Sequence, residues 1–208
     1  MTNGPIHVVD YGAGNIGSVL NMIKRVGGEA LPSGDAKPLS AATKILLPGV
    51  GSFDNAIKRL RDLDLIEVLR ERAQAGVPML GICLGMQLLA EGSDEGVLPG
   101  LNLIPGRVRR FKFDGYAAPL KVPHMGWNRV RTAKQHPLAH GIDDAVARFY
   151  FVHSFHYDCA NEADRLFQTS YSYEFTSGVQ RDNVMGVQFH PEKSHRFGMQ
   201  LIKTFLEL

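Results

Sequence analysis

The apolar positions of this 208-residue chain change period along its length. In the first half, short continuous apolar runs alternate with stretches in which apolar residues recur every three or four positions. Ile6-His7-Val8-Val9, Ile45-Leu46-Leu47 and Pro78-Met79-Leu80-Gly81-Ile82 read as strands buried on both faces, since a strand covered on one face alternates apolar with polar. Residues 15–26 and 52–74 carry the helical period, the second with a break expected near Asp62 to Asp64, and a short helical run at 86–90 follows the third strand. Strands joined through helices imply a parallel α/β sheet flanked by helices.

Beyond Gly100 the texture turns aromatic and β-branched, around residues 107–113, 149–152, 166–173 and 184–189, with little helical period between them. These segments predict an antiparallel extension of the sheet. A closing helix at 195–206 carries Phe197, Leu201, Ile202 and Phe205 at helical spacing. No repeat, low-complexity segment or linker interrupts the chain, so one domain over residues 1–208 is expected.

Composition narrows the partners. Twenty-three Lys plus Arg against 21 Asp plus Glu leave a formal charge of +2, too weak a field to argue for nucleic acid or an anionic membrane, and a small substrate is expected. No apolar stretch is long enough to span a bilayer, and Met1-Thr2-Asn3-Gly4-Pro5 runs into the first strand without a leader pattern, which points to the cytoplasm. The two cysteines, Cys83 and Cys159, suggest neither a disulfide framework nor a metal site.

Cys83 stands in Gly81-Ile82-Cys83-Leu84-Gly85-Met86-Gln87, between a strand and a helical run. This is the strand, sharp turn and helix of a nucleophile elbow, and glycines two before and two after the cysteine leave room for the turn. The sulfur then projects at the carboxyl edge of the sheet, where unpaired N–H groups favour negative charge. The backbone N–H of Leu84 is the natural first oxyanion donor. Against this stands the ordinary fate of a free cysteine, which is a small buried hydrophobe.

In Gly186-Val187-Gln188-Phe189-His190-Pro191-Glu192 the chain is extended and meets a proline. Residues two apart share a side, so Glu192 can orient His190 and leave its other nitrogen to take a thiol proton. Cys83, His190 and Glu192 together make an acyl-transfer set. His124, His153 and His156 compete for the role of base, and Glu192 could instead be a solvated carboxylate opening the final helix.

With these residues in view, the sequence resembles the class I (triad) glutamine amidotransferases, whose motifs look like Gly-x-Cys-x-Gly-x-Gln and His-Pro-Glu. Asp10-Tyr11-Gly12-Ala13-Gly14-Asn15, Leu47-Pro48-Gly49-Val50-Gly51-Ser52-Phe53, Pro123-His124-Met125-Gly126-Trp127-Asn128, Tyr150-Phe151-Val152-His153-Ser154-Phe155 and Phe189-His190-Pro191-Glu192-Lys193-Ser194 narrow the likeness to the glutaminase subunits of imidazole glycerol phosphate synthases. The resemblance spans essentially the whole chain. It implies a flavodoxin-like fold, hydrolysis of glutamine through a thioester on Cys83, and delivery of ammonia to a TIM-barrel cyclase subunit in histidine biosynthesis, with no cofactor. It also implies a second oxyanion N–H from Gly49-Val50-Gly51, substrate contacts from Gln87, Glu95, His153, Ser154 and Phe155, and a partner interface including Met125, Trp127, Asn128 and Lys193. Core packing is the competing expectation for Trp127, and solvent exposure for Gln87.

Three other readings compete. Gly12-Ala13-Gly14-Asn15-Ile16-Gly17 satisfies the dinucleotide-binding glycine pattern after a strand, but the ribose-binding acid expected at the end of the second strand is missing. Arg107-Val108-Arg109-Arg110-Phe111-Lys112-Phe113 could serve nucleic acid or could simply put cations on a solvated face. A cysteine protease would share the chemistry, yet no peptide-binding cleft is suggested.

Overall fold

A computed structural model describes residues 4–113, 115 and 120–208. Residues 1–3, read above as leading into the first strand, lie outside the described residues. Strands β1 (Ile6–Val9), β2 (Ala30–Ser33), β3 (Ile45–Gly49) and β4 (Met79–Cys83) alternate with helices α1 (Ile16–Arg25), α2 (Ala36–Ser40), α3 (Phe53–Asp62) and α4 (Leu65–Gln74). Helix α5 (Leu84–Leu88) begins on the residue after β4. The chain continues through β5 (Gly92–Ser93), β6 (Gly106–Arg110), β7 (His124–Arg129), β8 (Arg131–Thr132), β9 (Arg148–His153), β10 (Phe155–Cys159), β11 (Arg165–Tyr171), β12 (Tyr173–Arg181) and β13 (Val184–Val187), and closes with α6 (His195–Glu207).

The main sheet runs β2-β1-β3-β4-β13-β12-β10-β6-β5, with β11 attached to β12 and β8 to β11. Its first five strands are parallel, in the flavodoxin-like order. Side chains alternate across it: Val9, Ile45, Leu47 and Met79 join the cluster containing α2 to α5, while Val8, Leu46, Leu80 and Ile82 join the one containing α1 and α6. The helices follow their sequence period, as in α3, where Phe53, Ala56, Ile57 and Leu60 are buried. The break expected near Asp62 to Asp64 falls at Asp64, which takes a left-handed φ of 55°. Among the described residues, no helix is long and apolar enough to cross a membrane.

The second half holds an antiparallel extension, with three departures from the sequence reading. Segment 184–189 was expected in that extension, but β13 runs parallel to β4. The β12–β13 hairpin turns it back into the centre of the sheet, and all four of its residues are buried. Segment 149–152 instead belongs to β9, which pairs with β7 in a separate two-stranded ribbon. Segment 166–173 is two strands that reverse at Ser172, with a φ of 63°.

Candidate active site

The parallel register brings three strand ends to one edge, because Gly49 pairs with Cys83 and Val187 with Ile82. Cys83 adopts φ 55° and ψ −110°, a conformation L residues avoid, and thereby ends β4 and starts α5 in one step. The flanking glycines permit this turn. A Cβ on Gly81 would lie 2.6 Å from the Gly85 carbonyl oxygen, and one on Gly85 would lie 1.8 Å from that of Leu47. Helix α5 is a single short turn, so its contribution to an anion is that of the Leu84 and Gly85 amides themselves more than of a long dipole.

The side chains of His190 and Glu192 are both buried, and His190 Nδ1 donates to Glu192 Oε1 over 2.7 Å. That bond leaves Nε2 without a hydrogen-bond partner among the described residues, and His190 and Cys83 line the same cavity. Burial works against the imidazolium, but the contacts with Cys83 and then Glu192 outweigh it, and the His190 pKa is pushed up to about 10. The backbone around His190 is fixed as well. His190 N–H donates to the Tyr150 carbonyl at 2.9 Å, and Ser194 Oγ–H donates to the His190 carbonyl at 2.6 Å.

A cavity of about 390 Å³ opens onto Cys83, a size suited to a small ligand. Its walls bring together Val50, Gly51, Leu84, Gln87, Glu95, His153, Ser154, Phe155 and His190. Lys193, expected at a partner interface, lines it too, with its Nζ 5.4 Å from the Tyr150 ring centroid. Gly49 sits behind the wall. A Cβ there would come within 2.5 Å of the Tyr11 hydroxyl and 3.0 Å of the Gly85 nitrogen. Gln87 does not face solvent, and Glu95 accepts from the Phe53 N–H at the start of α3 at 2.9 Å. A larger cavity of about 740 Å³, between residues 132–141 and the end of α6, contains none of this set.

The rival bases are excluded by their own hydrogen bonds. His153 Nδ1 donates to the Phe155 carbonyl at 2.7 Å, so its Nε2 must accept the Nδ1–H of His124 at 2.9 Å. Burial holds the His153 pKa well below the ordinary value and lowers that of His124 to about 4, so the pair is neutral. His156 is engaged with the Tyr173 hydroxyl at 3.1 Å.

Two residues went unassigned in the sequence. Gln188 is fully buried and its Nε2 lies 3.8 Å from Cys83 Sγ. Tyr11 is buried and its hydroxyl donates to the Pro48 carbonyl at 3.0 Å, bracing the loop that carries Gly49 to Gly51. Period two offered a signal for Gln188, which shares a side with His190 and Glu192 in extended chain; nothing local marked Tyr11.

The competing readings fail on position. Arg59 Nη1 fills the space beside Gly12 and donates to its carbonyl at 2.7 Å, and β2 ends on Ser33, which carries no acid for a ribose. In the basic strand, Arg107 and Arg109 both pair with Asp94, at 3.1 and 3.3 Å.

The family description "Glutamine amidotransferase class-I" matches residues 7–208, and the chain belongs to that family. It is 46% identical over 203 residues to the imidazole glycerol phosphate synthase subunit HisH 2 of Methanococcus maripaludis, covering 97% of this chain and 98% of the relative. It is 48% identical over 204 residues to subunit HisH of Bdellovibrio bacteriovorus, covering 98% of this chain and 100% of the relative. Within the class, the chain is a member of the same family as these HisH subunits. Among solved structures, PurLQS from Thermotoga maritima aligns over 99% of both chains with a TM-score of 0.75 at 17% identity, a likeness of fold.

Proposed function

We propose that this chain, as one catalytic domain over residues 1–208, is the cytoplasmic glutaminase subunit of an imidazole glycerol phosphate synthase. The Cys83 thiolate attacks the side-chain amide carbon of glutamine, and the N–H groups of Leu84 and of the Val50–Gly51 segment receive the charge that develops on oxygen. His190, as imidazolium oriented by Glu192, protonates the departing nitrogen, and ammonia leaves a glutamyl thioester. His190 then takes a proton from water as it attacks the thioester, and glutamate departs. Gln87, Glu95, His153, Ser154 and Phe155 line the site for the substrate, and Gly49 backs the wall beside it.

The observation that carries this reading is the convergence of the Cys83, His190 and Glu192 set on one small-ligand cavity. The HisH relatives supply the acceptor. The ammonia passes to a TIM-barrel cyclase subunit in a heterodimer, where imidazole glycerol phosphate and aminoimidazole carboxamide ribonucleotide form. Met125 and Trp127, 63% and 55% exposed, with Asn128 and Lys193, offer the docking surface. The test is purification of the tagged chain from its own cells with mass spectrometry of what accompanies it, followed by an ammonia assay of the pair. A cyclase companion and glutamine-dependent ammonia release are expected. An intact pair that releases no ammonia, or a companion of unrelated chemistry, would overturn the reading.

A further inference from the structure

One run of buried hydrogen bonds ends on the nucleophile, and its polarity follows from a single backbone carbonyl. The Phe155 carbonyl can only accept, so the Gln87 side chain must face it through its NH2, at 3.3 Å. The same Nε2 carries a second hydrogen to Gln188 Oε1, at 3.1 Å. With Oε1 so committed, the Gln188 NH2 is the end that faces Cys83 Sγ, at 3.8 Å, a distance suited to a large sulfur acceptor. Gln188 is fully buried and Gln87 is 5% exposed, so solvent does not offer either amide an alternative orientation. The Phe155 carbonyl is itself held by His153 Nδ1, His153 by His124, and His124 Nε2 lies 3.2 Å from Asn128 Nδ2.

We infer that Gln188 is a catalytic residue of this site, giving the Cys83 sulfur an N–H donor that favours thiolate over thiol, and that Gln87 is the positioning residue that sets the direction of that amide. A thiolate is a far better acceptor than a thiol, so a fixed N–H beside it stabilises the reactive form selectively. The inference rests on the glutaminase reading for its purpose, and it changes the part played by Gln87. Both hydrogens of the Gln87 amide are spent inside the protein, which leaves only its oxygen to meet a ligand.

Gln188→Met is the sharp test, because it keeps the length of the side chain, adds no charge beside Cys83, and removes the donor facing sulfur. Alkylation of Cys83 by iodoacetamide, followed by mass across a pH series on the full chain, reads thiolate directly. The midpoint is expected about one pH unit higher in Gln188→Met, with a smaller upward move in Gln87→Met. A Gln188→Met protein that melts like the parent and alkylates with the parent's pH profile overturns the inference. If that variant does not fold, the parent decides. The Gln188 side-chain amide resonance should move with the same midpoint as alkylation, and a resonance that stays still overturns the inference equally. Neither measurement uses glutamine or a partner, so absence of glutaminase activity would count against the proposed function and leave this result standing.

Discussion

Gly186 on β13 lies opposite Gly81 on β4 in parallel register. Beyond that pair β4 ends on Cys83, while His190 follows the end of β13 by three residues and is held there by its backbone bridge to Tyr150. Neither glycine can accept a side chain: a Cβ on Gly186 would lie 2.7 Å from Met86 Cγ, and the one on Gly81 would strike α5. Gly85→Ala meets the Leu47 carbonyl, which cannot yield cheaply, and a cost of roughly 3 kcal/mol with loss of glutaminase is expected. Gly51→Ala has open space but a φ of 103°, so about 1–2 kcal/mol of purely conformational strain is expected. Urea midpoints of the two variants check the order, and a Gly85→Ala protein as stable as the parent would refute the close-approach argument.

Cys83→Ala should abolish ammonia release while leaving the fold unchanged. A glutamine-mimicking electrophile should modify Cys83 and spare Cys159, because burial pushes the Cys159 thiol up to about 11 despite its hydrogen bond with Thr176. Peptide mapping of the modified chain decides the matter, and label on Cys159 alone would remove Cys83 from the mechanism.

Glu192→Gln keeps the volume beside His190 and removes the charge. The amide can offer an N–H to Nδ1, which selects the tautomer that cannot take the thiol proton at Nε2, and the imidazolium loses its counter-ion. A fall in kcat on the order of 10³-fold to 10⁴-fold is expected with little change in KM. Steady-state ammonia release measures both, and a fall confined to KM would make Glu192 a binding group instead.

The legible parts of the molecule were those where one local rule sufficed. Apolar runs and helical periods gave β1, β3, β4, α3 and α6, and the Gly81, Gly85 spacing gave the elbow. The parallel placement of β13 was missed because it depends on the β12–β13 hairpin, although the four unbroken buried residues already argued for a strand covered on both faces. His124 and His153 looked like possible bases in the sequence, since only the contacts across β7 and β9 show that both His153 ring nitrogens are occupied. Tyr11 acts across 37 positions of chain, beyond the reach of any local pattern, whereas Gln188 acts across 105 yet shares a side with His190 and Glu192 in extended chain, a signal that period two alone does not tie to Cys83.

The same histidine pair makes the fold sensitive to acid. His124 has a folded pKa of about 4 against an ordinary value near 6.5, and His153 is shifted in the same direction by its burial. The unfolded chain therefore binds protons before the folded one does, so this contribution to stability is complete above about pH 6.5 and declines as the pH falls toward about 4. His190 is shifted the other way, and its contribution is complete below about 6.5 and lost only as the pH rises through about 10. In the acid window burial lowers the pKa values of His7, His136 and His156 as well, but of these lowered histidines only His124 and His153 are buried throughout, among the rings of Phe111, Phe151, Tyr171 and Phe175, where a cation loses its water. The urea midpoint of the parent should fall between about pH 7 and about pH 5, and His124→Gln with His153→Gln should flatten that fall while lowering the midpoint at the higher pH. If the double variant keeps the parent's acid slope, carboxylates or His7, His136 and His156 carry the acid sensitivity and the pair is only a packing element.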